Sequence, residues 1–318
     1  MPLRSVLKFA IRAAALPLFA VAAPAAPPPE PSVEPDRTLE AGAPQPAIWL
    51  LSDADTRIWL FGTNHVLPHS FAWRSPELDA IIAEADELIL ESSEEEAAEL
   101  YADTERFAAM MMLDEPVPIL NRVSREYRMP LWEVIKYSSI ELDELDQMQT
   151  WMVILYLIAA SFENAYGEGE DYAATGVEYQ LIDIFDAQDK PIGAVERPME
   201  QIDFFRLQTE ERQRELLESL VGSGPPDSES AAEDTLLQGW VTGNMGTMAE
   251  QCDDADNFPP VLRELLLVQR NANWIEWLVD RLDRPGDVLF AVGACHLAGT
   301  ASVQTMLEAR GYAIERVQ

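Results

Sequence analysis

The stretch Arg57-Ile58-Trp59-Leu60-Phe61-Gly62-Thr63-Asn64-His65 decides how this chain is read. Its four apolar residues, Ile58 to Phe61, are too few for a helix and rich in β-formers, so they predict a strand. A short continuous apolar run implies burial on both faces, the habit of parallel strands. Gly62 ends the run and His65 follows three residues later. In open α/β folds the residues just past such strands line the binding crevice. Taken alone, His65 reads equally well as a polar turn residue.

The far end of the chain repeats the pattern. Asp287-Val288-Leu289-Phe290-Ala291-Val292-Gly293-Ala294-Cys295-His296 is again an apolar run, a glycine, two residues and a histidine. The chain has only 3 His, so two of them occupy equivalent places after two buried strands. Each glycine lets the backbone leave its strand without a Cβ clash, so the ring can turn back over the sheet edge. If the strands lie close, both imidazoles enter one cleft. Two imidazoles and a carboxylate suit a transition-metal ion with room for water. The competing reading is a pair of structural histidines.

The carboxylate comes from the segment that follows. Ser75-Pro76 starts a helix running through Ala85, with Leu78, Ile81 and Ile82 on one face. Glu87-Leu88-Ile89-Leu90-Glu91 is then a strand ending in an acid. A βα unit directly after His65 should set this strand parallel beside the first, bringing Glu91 to the same edge as ligand or general base. Glu94, Glu95 and Glu96 read as the solvated first turn of the next helix. Lys190 to Glu196 repeats the strand that ends in Glu. The predicted fold is therefore a mixed β-sheet flanked by helices, made of two loosely duplicated α/β halves. A helical insertion over about 94–170 would roof the cleft. Within it, Trp151 to Ala160 is apolar throughout but short, a buried helix rather than a membrane span. The long helix from Val261 to Leu282 carries Arg270 and Asn271 on an apolar face. Arg270 reads either as a clamp for a developing anion or as a surface residue. His69, separated from His65 by Pro68, reads as a loop residue at the cleft mouth.

The start of the sequence gives an address. Arg4, Lys8 and Arg12 precede an apolar run from Ala13 to Ala23, and the first acid is Glu30. Small residues at Ala20-Val21-Ala22 and Ala23-Pro24-Ala25 complete a secretory signal peptide over residues 1–25. The competing reading is a disordered Ala/Pro tail. Residues 26–45, with Pro27, Pro28, Pro29, Pro31, Pro35 and Pro44, read as a solvated linker before a single α/β domain over 46–318. The expected location is the periplasm, with no membrane span in the mature chain. The charge of -34 argues against nucleic acid and anionic membrane surfaces as partners. Cys252 and Cys295 can pair in an oxidising compartment, and the alternatives for Cys295 are a thiol flanking the metal and a small buried residue.

Several of these segments together resemble the TraB/GumN family, which includes PrgY-like proteins and the Tiki metalloproteases. They are Leu60 to His65, Ala83 to Glu91, Gly193 to Glu196 with Glu200-Gln201, Gln269-Arg270-Asn271, Ala291 to Gly299 and Leu307 to Tyr312. The matches run in order over nearly the whole mature chain; Asn64 and Cys295 depart from the family pattern. The resemblance implies a fold related to erythromycin esterases and ChaN proteins. It also implies a divalent-metal hydrolase (Mn, Co or Zn) acting on a peptide or small-molecule substrate. By that resemblance His65, His296, Glu91 and Glu196 are the expected metal ligands, with Glu91 and Arg270 as catalytic groups. The alternatives are a non-catalytic metal- or haem-binding protein and an accessory factor in exopolysaccharide or envelope processes.

Overall fold

The computed structural model describes residues 43–68, 71–93, 104–138, 140–166, 176–222, 231–255 and 258–318. The expected signal peptide, most of the linker, His69, the start of the helix from Glu94 and the loop after Gly222 lie outside these residues. Strand β1 (Ile48–Ser52) turns into β2 (Thr56–Thr63) as an antiparallel hairpin with Leu50 opposite Trp59. Asp53 closes the turn by accepting from the backbone N–H groups of Asp55 and Thr56 at 3.1 and 2.9 Å. Strands β3 (Glu87–Leu90), β4 (Ile192–Ala194), β5 (Gly286–Gly293) and β6 (Ile314–Arg316) complete one six-stranded sheet, ordered β4-β3-β5-β2-β1-β6. β4, β3, β5 and β2 run parallel to one another, and β1 is antiparallel to both β2 and β6. The fold is mixed α/β.

Period-two alternation explains why β2 and β5 are apolar throughout. Trp59, Phe61, Leu289 and Ala291 pack on one sheet face, under the helices Pro76–Glu84, Val177–Asp186 and Ala231–Val241. Ile58, Leu60, Val288, Phe290 and Val292 pack on the other, against Gln269–Leu282 and Val303–Ala309. Burying side chains of this size stabilises by about 1.5–3 kcal/mol each, so the register of both strands is firmly set. The helix Pro76–Glu84 starts where Ser75 accepts from the Leu78 N–H at 3.0 Å with proline at the first helical position.

Helices form a further core beside the sheet. Trp151 to Ala160 is buried in the helix Thr150–Tyr166, among side chains from Pro198–Arg206, Glu210–Gly222 and the segment 258–267. Buried Arg122 fastens this region, donating to the carbonyls of Val117, Asp146 and Met148 at 2.8, 2.8 and 2.6 Å. Among the described residues, no helix is long and apolar enough to cross a membrane.

One expectation is corrected. β3 does not pair with β2; β5 lies between them, with Phe290 opposite both Leu60 and Ile89. Consecutive strands are neighbours only about two-thirds of the time, and the crossover through Pro76–Glu84 leaves a gap of one strand that the distant β5 fills. The strand types that recur in sequence end side by side, β2 with β5 and β3 with β4.

Cys252 and Cys295, whose pairing the sequence left open, form a disulfide across a separation of 43 residues. It ties the helix Met245–Asp253 to the 3₁₀ turn Ala294–Leu297 that carries His296. Closing a loop of this length stabilises by about 4 kcal/mol in the chain-entropy account. Urea denaturation with and without a reductant should therefore show a marked fall in the midpoint of the reduced protein, by up to that amount of free energy.

Candidate functional site

Adjacent strands deliver the site residues to one sheet edge. β2 and β5 pair through Gly62↔Val292 and Thr63↔Gly293, so both Gly-x-x-His turns leave the sheet at the same level. From the other side of β5, Glu91 Oε1 accepts the Gly293 N–H at 2.7 Å. The β3–β4 pairing continues past the strands, Val195 and Glu196 donating to the carbonyls of Leu90 and Glu91 at 2.9 and 3.0 Å. Glu196 thus stands beside Glu91. His65, Glu91, Glu196 and His296 are all buried, and Arg270 is 0% exposed.

Arg270 organises the cluster. A buried guanidinium needs an acceptor for each of its five N–H bonds. Nε donates to Glu196 at 2.9 Å, and Nη2 donates to Glu91 Oε2 and Glu196 Oε2, both at 2.7 Å. Nη1 reaches the Leu266 carbonyl at 3.3 Å and His296 Nε2 at 3.0 Å. Leu266 lies in a π-helical turn, Glu264–Val268, directly before Arg270 in the long helix. The guanidinium carbon also lies 4.8 Å from the Trp274 ring centroid. Burial disfavours the charge, but Glu196 and Glu91 outweigh it and Arg270 stays protonated. Burial likewise raises the Glu91 pKa, and the Arg270 charge reverses this and holds it at about 2.

The network fixes the His296 tautomer. Arg270 Nη1 can only donate, so His296 Nε2 accepts and the ring proton sits on Nδ1. Nδ1 then donates to Asn271 Oδ1 at 2.6 Å. The Asn271 amide agrees with this orientation, its Nδ2 donating to the carbonyls of His296 and Ala301 at 3.2 and 2.8 Å. Trp274 lies against the ring, tilted by 35° with centroids 4.2 Å apart. Burial pushes the His296 pKa well below the ordinary imidazole value, so the ring is neutral.

His65 has a different environment. Its Nδ1 lies 2.6 Å from Glu178 Oε1, a short contact out of line with the ring N–H direction. Its Nε2 is buried without a hydrogen-bond partner among the described residues. Burial opposes protonation of this ring; the Glu178 carboxylate, assisted by Glu91, outweighs that and raises its pKa. The space beside Nε2 exists because residue 293 is glycine. A Cβ there would stand 3.2 Å from His65 Nε2, 3.1 Å from Glu91 Oε1 and 3.6 Å from His296 Cδ2.

These features bear on whether a cation fits. Among the described residues, no three His, Cys, Asp or Glu side chains already form a ready ligand cluster. The reason is visible at His296, where Arg270 Nη1 lies on the lone pair that an ion would take. The remaining donors do fit. An orphaned imidazole nitrogen and a carboxylate oxygen face a gap that a methyl group would fill. Glu91, Glu196 and Glu178 outnumber Arg270, so this buried edge carries excess negative charge. Protonation of His65 and binding of a divalent ion are two ways of meeting the same field.

His65, Glu91, Glu196, Arg270 and His296 therefore come together, although Glu196 has both oxygens on Arg270 and one also 3.3 Å from Gln201 Nε2. Glu178 and Asn271 are the partners that sequence reasoning did not assign. Glu178 was hidden at the start of an ordinary helix. Its signal is Gly176, where any Cβ would collide with the His65 carbonyl oxygen. Asn271 stood out as a polar residue on an apolar face, but nothing local pointed it at His296.

Replacing Arg270 by Met should leave two buried carboxylates unpaired and cost about 3–5 kcal/mol. In urea denaturation, the added substitutions Glu91→Gln and Glu196→Gln should recover much of that loss.

A comparison with curated proteins and one with solved structures gave no match. The family model described as TraB/PrgY/gumN matches residues 47–316, which takes in all six strands and every residue of the cluster. The chain belongs to the TraB/PrgY/gumN family.

Proposed function

We propose that this protein is a divalent-metal-dependent hydrolase, acting on a peptide or a related carbonyl substrate outside the cytoplasm. The observation that carries this reading is the gap at Gly293, faced by His65 Nε2, which has no hydrogen-bond partner among the described residues, by Glu91 Oε1 and by the His296 ring. We assign His65 and Glu91 as the residues that would hold Mn²⁺, Co²⁺ or Zn²⁺, with His296 joining them only where Arg270 Nη1 turns away from its Nε2. Bound there, the ion would supply Lewis-acid chemistry, polarising a carbonyl and acidifying water toward a pKa of about 7.

The chain's own residues take the remaining roles. Glu91 is held at a pKa of about 2, which makes it a weak base and a persistent anion, so it suits a ligand better than a proton acceptor. His296 keeps its proton on Nδ1 through Asn271, and its Nε2 lone pair accepts from Arg270 Nη1. Arg270 holds Glu91 in place and adds positive charge beside an anion developing on the substrate. Glu196, with both oxygens on Arg270, serves as its counter-ion. The disulfide supports an exported protein, since cytosolic thiols are kept reduced.

The test is cleavage of a peptide library by metal-reconstituted wild type and His65→Ala, with metal content measured in both. Turnover and bound metal should be present in wild type and lost in the variant; equal turnover in both ends the hydrolase reading. A second variant isolates the gap itself. Gly293 has φ -49 and ψ 134, which alanine accepts, so Gly293→Ala should keep the backbone while its Cβ crowds Glu91 Oε1 and His65 Nε2 at 3.1 and 3.2 Å. Its circular dichroism should match wild type and its melting temperature fall only modestly, while metal binding and turnover fall by at least tenfold.

A further inference from the structure

We propose that the Cys252–Cys295 disulfide is a redox latch on the buried cluster. Oxidised, it locks the turn carrying His296 and the π-helical turn before Arg270. Reduced, it lets both loosen while the sheet stays folded. The inference goes beyond the hydrolase reading and does not depend on it, since neither a metal nor a substrate enters the argument.

The sequence has 2 Cys, and the bond between them reaches the cluster directly. Cys295 immediately precedes His296 in the turn Ala294–Leu297. Cys252 is buried near the end of the helix Met245–Asp253. The last residue of that helix, Asp253, clasps two further parts. One carboxylate oxygen accepts from Arg263 Nη2, and the other from the Thr300 N–H at 3.4 Å, beyond the His296 turn. Gly299 has φ +74, and a Cβ there would stand 2.6 Å from Asp253 Oδ1, so the loop lies directly against the carboxylate. Arg263 in turn precedes the π-helical turn Glu264–Val268, whose Leu266 carbonyl accepts from Arg270 Nη1. The same nitrogen meets His296 Nε2 at 3.0 Å. The contacts close a ring that runs from His296 through the disulfide, Asp253, Arg263 and the π-helical turn to Arg270, and back to His296.

Strengths differ around this ring. The Arg263 and Asp253 side chains are 22% and 31% exposed, and ion pairs so placed contribute little. The covalent bond is the strong member, so the helix holds the His296 turn chiefly through it. On the far side stand only polar contacts: Asn271 donates to the carbonyls of His296 and Ala301, and Gln304 to that of Leu297. The sheet needs none of these. β5 ends at Gly293, before the turn begins, and burial on both faces fixes its register. Opening is therefore local.

A dithiol reductant supplies the two electrons. Its thiolate attacks Sγ of Cys295, which is partly exposed, whereas Cys252 is 2% exposed. The S–S bond breaks, and Cys252 leaves as a thiolate and takes up a proton. The reductant's second thiol then displaces Cys295 from the mixed disulfide, giving two protein thiols and an oxidised reductant. Exchange with a disulfide oxidant runs the same steps backwards and closes the latch. Cytosolic thiols are kept reduced, so the cluster is locked only where disulfides form.

The experiment compares the oxidised full chain with the same chain reduced by dithiothreitol under native conditions, counting the thiols released. Hydrogen exchange is followed by mass spectrometry. Residues 294–301 and 264–270 should exchange at least tenfold faster after reduction, while 56–63 and 286–293 keep their rates, and reoxidation should restore the slow exchange. Cys252→Ala with Cys295→Ala should match the reduced protein and ignore the dithiol. Asp253→Ala, with the disulfide intact, should loosen 264–270. Equal acceleration in the paired strands overturns the proposal, because the bond is then a general staple of the fold. So does unchanged exchange in either turn once the thiols are free, unchanged exchange at 264–270 in Asp253→Ala, or a folded protein from which the dithiol releases no thiol. The wild-type comparison decides even where the double variant fails to fold.

Discussion

A guanidinium with no access to water sits between two carboxylates and an imidazole, and the geometry of the sheet edge follows from satisfying it. Arg270 has five donors, and Glu196, Glu91, the Leu266 carbonyl and His296 supply the acceptors. Each bond fixes a group on a different element: two strand ends, the π-helical turn, and the turn after β5. Its charge also decides the protonation states around it. Glu91 remains an anion because of the permanent positive charge nearby, while His296 is neutral chiefly because it is buried. An ammonium in its place could not fork between two carboxylates and still reach a ring nitrogen.

Charge at this edge does not balance. One buried guanidinium faces two buried carboxylates, and a third, the half-buried Glu178, lies against His65, in a setting where fields are weakly screened. The fold tolerates this surplus because packing and covalent linkage hold the parts together. The disulfide anchors the turn carrying His296, and the Gly176 contact seats the helix carrying Glu178 on the turn carrying His65. A site with an excess of anions and an unpartnered nitrogen is set up to receive a cation. That is the physical content of the functional proposal.

The central position of β5 links fold to site. A strand from the last tenth of the chain enters between two strands made near its beginning, so residues about two hundred positions apart become neighbours. Strand burial on both faces enforces the register, and the register places Gly293 between His65 and Glu91. Glycine there serves the site by what it lacks, since its backbone angles are ordinary ones.

How much of this was legible in the chain varies by residue. The apolar runs at Ile58–Phe61 and Val288–Val292, the glycine after each, and the acids ending β3 and β4 identified the strands and His65, His296, Glu91 and Glu196. Those signals are local, because burial on two faces dictates composition over a few consecutive residues. The order of strands was misjudged for β3, because strand sequence records burial but not the identity of the neighbour. Glu178 and the pairing role of Arg270 were decided only by tertiary structure. Their partners lie far away in sequence, and an acid in the first turn of a helix or an arginine on a helix face looks the same whether it meets water or a buried ring. Residue type announced which groups were unusual; only the folded chain determined which of them share a proton, a charge or an empty space.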